Sequence, residues 1–181
     1  MARKRRDMAP GIFHVFTHSV WAADALYRDD EDRMTFLREL SRATAKTAWR
    51  CLAYCLMGTH YHLLLDVDAD VLPRGMHALN FGYAMSFNSR HRMRGHVHGT
   101  RYNSFRIEGE ADLLSRFKYV VRNPVEAGLC NSPADWPWSS YRGTVGLAAS
   151  QPFVQDDLIV GCLDGPREVA VGRLRRYVEE L

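Results

Sequence analysis

The stretch Arg50–Val67, RCLAYCLMGTHYHLLLDV, holds two apolar runs, Arg50 to Met57 and His60 to Val67, broken only by Gly58-Thr59. Runs of this length on either side of a two-residue break read as the strands of a hairpin. Side chains alternate faces along a strand, so His60 and His62 point one way and Tyr61 the other. With their Cα atoms about 6 to 7 Å apart, the two imidazoles can converge on one ion. Ordinary strands also carry two histidines at this spacing, and the pair alone does not separate a metal site from a structural one.

Upstream of the hairpin, Ile12 to Val20 is rich in β-branched and aromatic residues, follows Pro10-Gly11 and reads as a first strand. Asp29 to about Thr47 reads as a helix, with acids at its start and Met34, Phe36, Leu37, Leu40, Ala43 and Ala48 near a 3.6-residue period. Downstream, a second helix is expected from Leu72 to about Ser89, then an extended piece from Tyr102 to Ile107. A third helix is expected from Glu110 to Asn123, with Pro124 ending it. The order β-α-β-β-α-β-α predicts an α+β ferredoxin-like sandwich, an antiparallel sheet with helices on one face. Residues 1–143 are expected to form one catalytic-type domain. Residues 144–181 follow as a tail, partly helical through REVAVGRLRRYVEEL.

Composition narrows the class of function. The 181 residues, 46% hydrophobic, can bury one sizeable core. No apolar run approaches the roughly 18 residues of a membrane span. The basic start MARKRRDMAP leads into no apolar segment and does not read as a secretory signal. Cys51, Cys55, Cys130 and Cys162 form no CxxC pair, which suits reduced thiols and a cytoplasmic protein. The net charge of +3 is unevenly spread: between Asn88 and Arg106 stand Arg90, Arg92, Arg94, Arg101 and Arg106, three histidines and no acid. Such a patch suits a polyanion, though a solvated arginine-rich loop has the same composition.

The third helix adds chemistry opposite the histidines. Projected at about 100° per residue, Leu113, Leu114, Phe117, Val120 and Val121 form one apolar arc, and Tyr119 falls outside it. Asn123 lies one turn later on the same face, with Arg116 beside them. Two imidazoles, an amide oxygen and a phenol suffice to hold a divalent ion and a nucleophile over one phosphate.

The chain resembles the HUH-superfamily single-tyrosine transposases, in particular the branch associated with repetitive extragenic palindromes (REP). The likeness runs through GIFHVFTHS, DDEDRMTFLREL, MGTHYHLLL, FNSRHRMRGHVHGTRYNS, FKYVVRNPVEAGL and PADWPWSSYRG, from about Gly11 to Gly143. It implies that His60 and His62 bind Mg or Mn, that Asn123 completes the metal set, and that Tyr119 attacks a phosphate of single-stranded, hairpin-containing DNA. The product would be a 5′-phosphotyrosine and a free 3′-hydroxyl. Arg90, Arg92, Arg94, Arg101, Arg106 and Arg116 would hold the DNA backbone, and the site could lie within one chain or across a homodimer. The aromatic Tyr61 departs from the aliphatic residue common between such histidines; turned into the core, its hydroxyl needs a partner. Two other readings share these residues. One is a non-catalytic single-strand-binding module; the other is a zinc hydrolase drawing a third histidine from His14, His18 or His98.

Overall fold

The computed structural model describes residues 10–19, 25–68, 71–99 and 101–180, so the basic stretch 1–9 and its reading lie outside the described residues. The Gly58-Thr59 break joins β2 (Arg50–Leu56) to β3 (His60–Val67), closed by Met57 N–H donating to His60 C=O at 2.9 Å. β1 (Gly11–His18) pairs with β3 on one side and β4 (Asn103–Ile107) on the other. All pairings are antiparallel, in the order β2-β3-β1-β4, which is the ferredoxin-like arrangement.

α1 (Asp30–Thr47) and α2 (Val71–His91) are the crossover helices. α1 starts where the Asp29 carboxylate accepts from Asp32 N–H and three acids face the positive end of the helix dipole. It ends at Ala48, whose φ of 53° is left-handed. Phe36, Leu37, Leu40 and Ala43 of α1 meet Met76, Leu79, Tyr83 and Phe87 of α2 over Phe13, Val15, Tyr61, Leu63 and Leu65 of the sheet. Gly75 lets α2 approach the Trp49 ring, into which any Cβ would collide.

The expectation of helices on one face holds for α1 and α2 and is corrected for the rest. α3 (Gly109–Glu126) packs Leu113, Phe117, Val120 and Val121 on the opposite face, over Leu52, Leu64 and Ile107. α4 (Tyr141–Thr144), α5 (Asp157–Gly161) and α6 (Arg167–Glu179) enlarge that layer through Tyr141, Ile159, Val160, Ala170, Leu174 and Val178. The physical reason is the sheet itself: Leu52, Leu64 and Ile107 are apolar on the second face and require a cover. Arg122 Nη1 donates to Val178 C=O at 2.9 Å, tying α6 to α3. The outer edge of β2 is also covered. Leu56 N–H donates to Trp138 C=O, Ser140 N–H to Tyr54 C=O, and Gln155 N–H to Cys51 C=O, so the edge offers fewer free backbone groups to another chain. Among the described residues no helix is long and apolar enough to cross a membrane.

Candidate active site

Register decides which side chains share the site. His62 stands opposite Phe16, His60 opposite His18, and Tyr61 opposite Thr17. His14, Phe16 and His18 of β1 therefore face the same side as His60 and His62, the side that α3 only partly covers. Tyr61 turns the other way, fully buried, and its hydroxyl donates to Asn80 Oδ1 at 2.6 Å. The inward tyrosine thus has the partner it needs.

With its apolar arc seated on the sheet, α3 presents Tyr119 at the edge of the covered zone, 40% exposed. The Tyr119 ring meets His62 and His14 edge-on, each at 5.7 Å between centroids. Arg116 places its guanidinium 5.7 Å from the Tyr119 ring centre. Pro124 does not end the helix as expected; α3 runs on to Glu126 with Pro124 buried inside it. Packing overrides the local preference here, because the last turn closes through Ala127, Gly128 and Leu129 N–H groups donating to Asn123, Val125 and Pro124 carbonyls. Asn123 Nδ2 donates to Tyr119 C=O at 2.9 Å. A carbonyl can only accept, so the amide is oriented and its Oδ1 is left as an acceptor beside His62.

Burial sets the charge state. Desolvation, followed by His14, His60 and His18, holds His62 down at about 2, against a small opposing effect of Asn123. Burial and then His18 lower His60 to about 4. Burial and then Arg116 lower His14 to about 4. All three are neutral imidazoles at neutral pH, the form that binds a cation. His60 Nδ1 lies 3.1 Å from Thr59 Oγ1, and the His60 and His62 rings stand at 90°, 5.0 Å apart. His62 Nε2 is buried with no hydrogen-bond partner, an orphan that a cation would satisfy. The residues present fit a divalent ion. Among the described residues no three His, Cys, Asp or Glu are arranged to hold a metal ion.

The fold has a counterpart of known structure. A solved REP-associated tyrosine transposase bound to a REP hairpin superposes with a TM-score of 0.72 over 86% of this chain and 91% of that one, at 14% identity. The chain has the REP-associated tyrosine transposase fold. A Haemophilus influenzae protein described as "Putative REP-associated tyrosine transposase" is 24% identical over 164 residues, 80% of this chain and 88% of the relative. No family model matches the chain.

Within the REP-associated tyrosine transposase fold, the remaining expected residues divide by location. Arg92, Arg94 and Arg101 are exposed around the loop after α2. Arg90 is held by Asp29 and Asp32 at 2.7 and 2.6 Å, so its charge bolts α2 to the start of α1. Arg106 donates to Pro10 C=O at 2.8 Å, and Arg116 stands 4.0 Å from Asp112. Phe105, 56% exposed, stacks on Phe16 at 5.9 Å and extends the histidine face as a flat aromatic surface. His98 lies against Tyr61 and Tyr83, on the α1/α2 side and away from His60 and His62. A groove of about 720 Å³, lined by α2 and by residues 95–98, 101 and 102, likewise contains none of the residues just assembled around Tyr119. The sequence offers His14, with His18 and His98, only as a possible third zinc ligand. In the structure His14 Nε2 sits 2.9 Å from His62 Nδ1.

Proposed function

We propose that the protein is a metal-dependent single-stranded DNA endonuclease and strand transferase of the HUH superfamily, acting on hairpin-containing DNA through a 5′-phosphotyrosine. The observation that carries this reading is the placement of Tyr119 edge-on to His62 beside an unpartnered Nε2 and the Asn123 oxygen. His60, His62 and Asn123 would hold Mg or Mn, neutral imidazoles needing no proton loss to do so. Bound there, the ion would withdraw charge from the non-bridging oxygens of the scissile phosphate.

The chain's own residues do the rest. The Tyr119 oxygen forms a bond to phosphorus and the bond from phosphorus to the 3′-oxygen breaks. The phenolic proton leaves to solvent, to which Tyr119 is open, and the departing 3′-oxygen takes one up. The phosphotyrosine conserves the bond, so a 3′-hydroxyl can later attack it and rejoin strands. Arg116 lies where it would offset phosphate charge, and the exposed Arg92, Arg94 and Arg101 would track the backbone with a strong salt dependence. Phe105 would offer a stacking surface to an unpaired base.

The test is incubation with 3′-labelled hairpin DNA and Mn, followed by denaturing electrophoresis. The label is expected to move to a protein-sized band and to stay free with Tyr119→Phe. Cleavage without a protein-bound label would favour a water nucleophile, and binding without cleavage a non-catalytic module.

A further inference from the structure

His14 is 2% exposed, in the middle of β1, where an aliphatic residue would be the ordinary occupant. Its ring centroid lies 5.1 Å from that of His62 with the planes only 25° apart. Together with the 2.9 Å separation of His14 Nε2 and His62 Nδ1, this means the rings meet edge to edge across one hydrogen bond. A neutral imidazole carries one N–H, so the bridging hydrogen belongs either to His14 or to His62. The two cases differ in consequence. If His14 donates, His62 keeps its own hydrogen on Nε2, the atom facing Asn123, and cannot ligate there. If His62 donates, its Nε2 presents a bare lone pair.

We propose that His14 is a positioning residue whose Nε2 accepts from His62 Nδ1–H, fixing the ring and the tautomer in which His62 Nε2 can bind a divalent cation. This rests on the metal site proposed above. His14 itself stays outside the ligand set, since the nitrogen it aims at the site is occupied by His62. Its other nitrogen, Nδ1, is buried without a partner. The general physics is that a ligating histidine is oriented by the acceptor of its second N–H, and losing that acceptor costs about 10- to 100-fold in metal affinity.

The test measures Mn binding to DNA-free protein through the electron paramagnetic resonance signal of free Mn, for wild type, His14→Leu and His14→Gln. Leu fills the space and accepts nothing; the Gln oxygen reaches near the position of Nε2. His14→Leu is expected to bind about 10- to 100-fold more weakly, with His14→Gln near wild type. Long-range ¹⁵N–¹H spectra of the Mg-saturated wild type are expected to show a slowly exchanging His62 Nδ1 proton, present in His14→Gln and lost in His14→Leu. Equal affinity in His14→Leu and wild type overturns the role, as does a Gln variant as weak as Leu. If His14→Leu does not fold, a wild-type spectrum with the His62 proton on Nε2 overturns it alone. Wild type that binds Mn and forms the DNA adduct while His14→Leu is unchanged sinks only this inference; wild type that binds no Mn sinks the metal site as well.

Discussion

The two faces of β3 are built from alternate residues of one strand and have opposite fates. Tyr61, Leu63 and Leu65 enter a closed layer under α1 and α2, where every ring and alkyl group meets another. His60 and His62 face a layer that α3 covers only in part, leaving imidazoles, Tyr119 and the Phe16–Phe105 stack at its margin. Burial acts on both sides to favour the neutral form, pushing the Cys51 thiol up to about 12 on the closed face and His62 down to about 2 on the open one. A neutral thiol is inert, whereas a neutral imidazole is a ligand. The same physics therefore yields a structural face and a candidate reactive one.

Substitutions should separate these roles. The largest effect is expected from His60→Ala or His62→Ala, which should reduce formation of the DNA adduct to background while leaving a cooperatively folded protein; electrophoresis and circular dichroism read the two properties. Leu63→Ala on the closed face should do the reverse. It is expected to cost about 2 to 5 kcal/mol of stability in denaturant titration, with adduct yield per folded molecule unchanged. If Leu63→Ala abolished chemistry at full stability, the division between faces would fail.

Acid should act mainly on the open face. His14 and His60 titrate at about 4 in the fold, and His62 at about 2, below the usual 6.5. The unfolded chain therefore takes up protons first as the pH falls below about 6.5. The stability contributed by these groups is complete above that value and shrinks on the way down, and for His14 and His60 it is gone below about 4. Thermal unfolding between pH 7.5 and 4.5 should show a falling midpoint, with a shallower fall in His14→Gln. The smallest effect is expected from Tyr61→Phe, which removes the donor to Asn80 and should cost about 1 kcal/mol without altering the adduct.

Much of this division is legible in the sequence, because alternation along His60–Val67 needs only the strand period, and the offset of Tyr119 from its arc needs only the helical one. What escapes is whatever depends on pairing between distant segments. The His14–His62 contact spans 48 positions and appears only when β1 is aligned antiparallel to β3. Arg90 reads as a free cation until α2 is laid beside α1, where Asp29 and Asp32 claim it. The second helical layer is hidden for a related reason: a shift in the β2–β3 register between Cys51 and Ala53 disturbs the alternation that would mark Leu52 as facing away from the α1/α2 core. Pro124 misleads locally, since the preference it imposes on Asn123 is smaller than the packing energy of the turn that contains it.

The central claim is that the outward Tyr119, and not the inward Tyr61 that sits between the two histidines, carries the chemistry. The most direct measurement is mass spectrometric mapping of the nucleotide-bearing tryptic peptide after reaction with hairpin DNA and Mn. The account predicts the nucleotide on Tyr119, within the peptide Tyr119–Arg122. A nucleotide on Tyr61 or any other residue, or strand cleavage with no modified peptide, would contradict it.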